Sequence, residues 1–439
     1  MESVKFNFPW FDRRVWAVGG VLFLILATAF VGLRTYRNYA EPSREFDWGS
    51  RGMSDFYTFY TYSKAFRDGV NPYSMEVMEH PDYVVPRNAA PFSPAAFLPY
   101  VALTFVSLNV ASVIFFVFNW LLLGVLAWCC ISMSRIKFDP VLWVWVFGFL
   151  VFSRPGHLTM FTGYVTAVLA IGTIVALHFS KSKPLLSGFG FLLAAVKPTY
   201  AIPLTLLMLA RRDFKATVIG CVLTIGFAVG CFAWLSSHSD VASVIDGIKS
   251  GQEAFHNDTT EEPFNTWTRV DVPALIAKFM HRVPGTVEYL GVMLVLLIVP
   301  CLAIWRCSGR EVVHDEIEKG AASLTAVVAV LALLVTIYHH SYDCLVVSVA
   351  MVSMLLHGSQ LKTGLPRFAS LCIGVLLAIP MINYASTRAF RDRLGFEQSD
   401  SIWQLITMSN GICLGLALLI AMLFALKTKT AIQSESDSS

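Results

Sequence analysis

Seven side chains able to carry charge or move a proton stand where apolar runs of this sequence end: Asp55, Arg154, His157, Lys197, His339, His340 and Asp343. Lys197 is the most informative. It interrupts the apolar run LLAAVKPTYAIPL and is followed directly by Pro198. An ammonium at that depth is costly unless it is paired, reaches a wet cavity or snorkels to the headgroups. Its functional partner would be an anion, and a lipid phosphate is the anion available there. The run His339-His340-Ser341-Tyr342-Asp343 closes one apolar stretch and opens the next. Adjacent histidines diverge on a helix, so a shared metal ion is disfavoured. Hydrogen bonding to a phosphate oxygen and a plain interfacial turn are the remaining readings. Arg154-Pro155-Gly156-His157, with Gly163, is expected to form a compact turn in which arginine can clamp phosphate.

Asp55 opens a different kind of stretch, SDFYTFYTYSKAFRDGVNPYS at residues 54–74. Phe56, Phe59, Tyr60 and Phe66 recur near helical spacing, and Lys64, Arg67 and Asp68 mark another face. That pattern predicts a short amphipathic helix at a membrane interface, its rings at headgroup level. Gly69 and Asn71-Pro72 end it. Asp55 reads either as a first-turn acid behind a Ser54 cap or as a carboxylate poised to take a proton from a hydroxyl, and the two are compatible.

These residues must be positioned by a membrane scaffold. Of 439 residues, 56% are hydrophobic and only 14% charged, against roughly a quarter charged in soluble domains. Mean hydropathy is +0.61. A net charge of +3 without a basic cluster gives no basis for a nucleic-acid partner. All nine cysteines fall in or beside apolar segments, so no disulfide framework is readable. Arg13-Arg14, the apolar run after them and Ala27-Thr28-Ala29 share features with a signal peptide, but the run continues to Leu33, which favours an uncleaved first span.

The fold class expected is all-α, a single polytopic membrane domain of about twelve spans with outward-facing loop helices. The apolar runs are 15–33, 110–133, 140–152, 164–179, 185–196, 200–209, 216–235, 287–304, 321–338, 344–356, 368–382 and 402–426. Several are short, as in broken helices around a cavity. Residues 91–108, with Pro91, Pro94 and Pro99, read as a partial or re-entrant element. A first outer loop covers 34–93, a second covers 236–285, and the Ser-rich tail 427–439 reads as disordered. The second loop carries His256, Asp258, Glu261, Glu262, Asn265, Trp267 and Arg269, a set that suits sugar binding or a solvated loop equally. Lys and Arg at 13–14, 135/137, 181/183, 211–215, 362/367 and 427/429 all fall on one side if the spans alternate. That side is expected to be cytoplasmic, with both termini inside and the polar junctions outside, in an inner (plasma) membrane.

A phosphate loop, a dinucleotide glycine fingerprint, an H-E-x-x-H helix and a serine nucleophile elbow are all missing from the sequence. Three places carry a resemblance instead: Asp55-Phe56 with its aromatic helix and Asn71-Pro72-Tyr73, the Lys197-Pro198 span, and His339 to Asp343. Together with the span layout they resemble glycosyltransferase family 87, the polyprenyl-phosphate-mannose-dependent mannosyltransferases of the membrane-embedded GT-C class. The resemblance implies inverting transfer of a hexose, typically mannose, from a polyprenyl-phosphate-linked sugar donor to a lipid or glycan acceptor at the outer face. It implies a first-loop aspartate as general base, which matches Asp55, with Asp47 as fallback. Lys197, Arg154, His339 and His340 would then bind the donor phosphate, and Tyr73, His157 and Asp343 the substrates. Neither a metal nor a cofactor is expected. The alternative reading is a secondary transporter or lipid flippase with a phosphate-binding cavity.

Overall fold

The computed structural model describes residues 12–39, 51–74, 77, 80, 83, 92–134, 136–256, 262–310, 320–357 and 365–427. Asp47, Arg135, Asp258, Glu261, Lys362 and the tail from 428 lie outside the described residues. The described residues form no strand. They make helices α1 (Arg13–Asn38), α2 (Ser54–Arg67), α3 (Leu108–Ser132), α4 (Pro140–Phe152), α5 (Arg154–Thr162), α6 (Thr166–Phe179), α7 (Pro184–Ala194), α8 (Pro198–Ala210) and α9 (Phe214–His238). The second half adds α10 (Val241–His256), α11 (Val272–Met280), α12 (Thr286–Arg310), α13 (Leu324–Thr336), α14 (Ser348–His357), α15 (Arg367–Ile382), α16 (Arg388–Leu394) and α17 (Ser401–Lys427).

Five helices among the described residues are long and apolar enough to cross a membrane: α1, α3, α9, α12 and α17. The pair α4 and α5, bent by 64°, makes a sixth when counted as one span. The other apolar helices run only 10–17 residues. Among the described residues, about half as many helices as the twelve apolar runs are long enough to span on their own, and shorter helices account for the other runs. Proline explains much of the shortening: Pro184 and Pro198 open α7 and α8, where a missing N–H costs nothing. The proline-rich stretch before α3 breaks up as expected, into 3-10 turns at Pro94–Ala96 and Ala102–Phe105 around one α-turn at Leu98–Val101. At the centre stands α13, every residue of which is buried, as a helix of Ala, Val, Leu and Thr that is apolar all round requires.

Side-chain ties at the two ends of the molecule report how the helices run. At one end Arg13 pairs with Asp139 at 3.0 Å, and Lys181 with Asp213 at 2.8 Å. At the other end Tyr39 donates to Asn109 and Arg34 meets His157, at 2.6 and 3.0 Å. So α1 and α4 run parallel while α3 returns between them in sequence, and four of the basic connections share one end.

Two local expectations are corrected. Residues 153–163 are not a compact turn: they form α5, capped by the Ser153 hydroxyl on Gly156 N and closed by Gly163 at φ +72°. Leu150's carbonyl leaves no room for a Cβ at Gly156, so glycine is what lets α5 fold back against α4. Helix α2 is not capped by Ser54 either. Its N-cap is Met53, left-handed at φ 62° and without a side-chain bond. Tertiary docking sets this start instead: Met53 N donates to the Phe161 carbonyl at 2.6 Å, and Gly163 admits Phe56 where any Cβ would collide with it. The rings of Phe56, Phe59 and Tyr62 are buried in protein rather than placed among headgroups. Phe59 stacks on Tyr100 at 5.0 Å and Phe56 on Phe115 at 4.7 Å.

Candidate functional site

Pro198 forces Lys197 into extended backbone (φ −102°, ψ 115°) at the head of α8. The ammonium, buried with the rest of the side chain, donates to Asp343 Oδ2 at 2.8 Å. Three tyrosine rings, Tyr164, Tyr200 and Tyr342, face it at 5.8, 5.7 and 5.5 Å, a cage that favours a cation through ring quadrupoles. Asp343 is fully buried and fully used. It accepts from Lys197, from Tyr200 Oη at 3.0 Å, from His340 N at 2.9 Å and pairs with His339 Nδ1 at 3.2 Å. Since a carboxylate only accepts, that last bond places the proton of His339 on Nδ1. His339 Nε2 is then left buried with no hydrogen-bond partner.

The two histidines diverge. His340 Nδ1 meets the Thr268 hydroxyl, and its Nε2 the Tyr338 hydroxyl, both at 2.6 Å. Thr268 belongs to the segment before α11, which lies along residues 339–341: Val270 N donates to His339 O at 2.9 Å and Ser341 N to Thr268 O at 2.7 Å. In that segment Arg269 grips Asp271 with two bonds of 2.8 and 2.7 Å, both side chains buried. Burial alone would push the Asp271 carboxyl up, and Arg269 with the backbone donors of Ala274 and His339 outweighs it and holds the group below the usual range. Asp271 also caps α11.

Arg154 and His157 lie one helix away, on α5. Arg154 is wholly buried and donates to both the hydroxyl and the carbonyl of Ser386. Its guanidinium faces the Trp267 ring at 5.8 Å, and its Nε has no hydrogen-bond partner. His157 bridges Arg34 at 3.0 Å and Tyr384 at 3.1 Å. Asp55, half-buried in the first turn of α2, lies within electrostatic reach of Tyr100 and Tyr342. Tyr73 stands apart: buried against Phe97, it donates to the Phe92 carbonyl at 2.7 Å.

The structure thus joins Lys197, His339, His340 and Asp343 in one cluster, sets Arg154 and His157 beside it, brings Asp55 towards it through Tyr342 and leaves Tyr73 in the packing. Sequence reasoning passed over Tyr200, Thr268, Asp271 and Lys278. Asp271 did carry a signal, since Asp-Val-Pro is a helix start with proline in the first turn.

Lys278, on α11, is 3% exposed and donates to the Thr407 hydroxyl at 3.0 Å. Burial lowers its amine to about 8, with Asp271 opposing and Arg269 and Arg154 reinforcing the shift. At neutral pH the folded and unfolded chains both carry this charge, and folding bears the full desolvation cost. Above about pH 8 the folded state sheds the proton while the unfolded state keeps it to about 10.4. This group's contribution to stability therefore rises between those values. Lys278→Met is expected to raise the thermal midpoint near pH 7, by on the order of 3 kcal/mol in stability, and to flatten the rise above pH 8. Melting both proteins in detergent from pH 7 to 10 measures it, and parallel curves would refute it.

The sequence model of glycosyltransferase family 87 matches residues 90–311, just over half of the chain. No curated protein and no solved structure gives a significant match. The matched stretch contains Arg154, His157, Lys197, Arg269, Asp271 and Lys278. Asp55 and the 339–343 junction lie on either side of it.

Proposed function

The chain belongs to glycosyltransferase family 87, and from that premise we propose that it moves a hexose, mannose before others, from a polyprenyl-phosphate carrier to a hydroxyl of a lipid or glycan acceptor at the outer face of the plasma membrane. A surplus of buried positive charge carries this reading. Lys197–Asp343 and Arg269–Asp271 are balanced pairs, whereas Arg154 and Lys278 are buried with no carboxylate at ion-pair distance among the described residues. Buried charge without a counter-charge is costly. The donor's phosphate is the group that offsets it, most of all as the leaving phosphate gains negative charge.

The transfer inverts the anomeric carbon in one displacement. The bond from that carbon to the phosphate oxygen breaks, the bond to the acceptor oxygen forms on the opposite face, and the acceptor's proton passes to Asp55. Lys197, Arg154 and His339 stabilise the departing phosphate where its charge develops, and His340, whose ring nitrogens are held by Thr268 and Tyr338, acts through those hydroxyls. Burial disfavours the His339 imidazolium, so His339 bonds the phosphate through Nε2 only as the anion's own charge offsets that burial, Nδ1 being committed to Asp343. Asp343 acts through Lys197 and His339, and Tyr73 braces the first loop. His157, bonded to Arg34 and Tyr384, is assigned to the substrate side of the site.

Membranes rich in this protein, given radiolabelled polyprenyl-phosphate-mannose, should pass label to a lipid or glycan product; label at the level of control membranes argues against the reading, and glucose- and arabinose-linked donors run in parallel identify the sugar. Sidedness has its own test. In a cysteine-free background, exposed Ser399→Cys should react with an impermeant maleimide in intact cells. Exposed Ser182→Cys, beside the Lys181–Asp213 pair at the other end, should react only after lysis. The reverse pattern would move the site to the cytoplasmic face.

A further inference from the structure

Beyond the donor-facing cluster, a cavity of about 510 Å³ opens between the segment leading to Trp267 and the turn that follows α16. Its walls include Phe264, Asn265, Arg391, Phe396, Glu397 and Gln398. The volume falls within the roughly 300–1,000 Å³ typical of small-molecule sites. Both walls are built. The Gln398 amide donates to the Asn265 carbonyl, Gln404 holds the Gln398 carbonyl at 2.6 Å, and Asp400 holds Glu397 N at 2.7 Å. Gly395, at φ +70°, supplies the left-handed residue that turns the chain out of α16.

Both walls also lead back to Arg154. One carries Trp267, whose ring the guanidinium faces at 5.8 Å. The other descends from Ser386, whose hydroxyl and carbonyl the same guanidinium holds. Asn265 is two residues from Trp267, so its Cα lies within about 7 Å of that residue's Cα, and Thr268 follows with its hydroxyl on His340. Short stretches of chain thus join both walls to residues that touch Arg154 and His340.

Its chemistry selects among substrates. The lining lies outside the candidate spans α12 and α17, and most of it is polar or charged, which suits a polyprenyl chain poorly. Its charges cancel in part: Arg391 is bonded to Asp392 at 2.8 Å, and Glu397 adds a further carboxylate. That balance suits neither a phosphate nor a strongly cationic ligand. Two phenyl faces among amides, carboxylates and a guanidinium fit a neutral polyhydroxylated ring, its C–H face on the aromatics and its hydroxyl pairs on the planar polar groups. We propose that this cavity binds the carbohydrate head of the acceptor and presents its hydroxyl to the transfer site, an inference that rests on the transferase reading above.

Purified protein in nanodiscs decides it, with polyprenyl-phosphate-mannose as donor and octyl α-mannoside as acceptor probe. Phe396→Ala, which removes an aromatic contact, and Glu397→Gln, which weakens a charge-assisted one, should each raise the acceptor KM by about tenfold. The kcat at saturating acceptor and the donor KM should stay within about twofold. An unchanged acceptor KM in both variants overturns the proposal. A wild type that transfers no sugar counts against the transferase reading instead, and the cavity is then judged by binding. Saturation-transfer NMR with methyl α-mannoside, α-glucoside and α-galactoside should give signals from the wild type that Phe396→Ala abolishes. Equal signals in both proteins, or none from the wild type, reject the cavity as a sugar site.

Discussion

Asp55→Asn is expected to lower sugar transfer by about 10²-fold or more while folded yield and donor binding stay near wild type. The acceptor hydroxyl is far too weak an acid to ionise at neutral pH, so its proton must leave as the new bond forms, and a carboxylate in reach suffices. Asparagine keeps the shape of the side chain and loses only the ability to take that proton. The fold should tolerate the change. The start of α2 is set by Met53 N on the Phe161 carbonyl and by Gly163 against Phe56, and Asp55 is not its capping residue. The loss in stability includes the favourable term of an acid in the first turn, about 0.3–1 kcal/mol. Transfer assays paired with a yield and melting measurement read both quantities. Near-normal transfer in Asp55→Asn would remove it as the base and bring Asp47 forward, and a collapse of folded yield would return Asp55 to a structural role.

The second large effect concerns the Lys197–Asp343 pair. Asp343→Asn leaves a buried ammonium without its counter-charge, and Lys197→Met leaves a buried carboxylate without its own; each is expected to cost about 3–5 kcal/mol of stability. The double variant Lys197→Met, Asp343→Asn removes both charges together. Its amide oxygen can still accept from Tyr200 or His340 N, so most of the stability should return, and the cycle should show strong coupling. Activity should not return with it. With Lys197 gone, the donor KM should rise by about tenfold or more. A double variant that is both stable and kinetically normal would make the pair a structural device with no part in donor binding.

Much of this arrangement is legible in the sequence because lipid enforces simple rules. Apolar runs mark helices, and the ends of α9, α15 and α17 fall within a few residues of the runs that announce them. A lysine inside LLAAVKPTYAIPL must be paired or wet, and it is paired. Which partner it finds is another matter. Asp343 is 146 residues away, and no local pattern couples the two. The same limit hid Asp271, whose importance comes from lying beside His339 across an isolated two-residue bridge, between Arg269 and His340. It also misled the reading of α2. The spacing of Phe56, Phe59 and Phe66 is that of an interfacial helix, but the proline-broken segment 94–105 covers those rings, and cover of that kind comes from tertiary structure alone. At 154–163, Pro155 and Gly156 suggest a turn; yet proline suits a first helical turn, and glycine is demanded by a neighbouring carbonyl rather than by a bend.

The distance in sequence between Lys197 and Asp343 has a consequence for how the protein is made. At roughly 5–20 residues per second, the lysine leaves the ribosome on the order of ten seconds before the aspartate that neutralises it. Throughout that interval the head of α8 carries an ammonium without the counter-charge the finished fold gives it, so until then it depends on water, the headgroups or another anion.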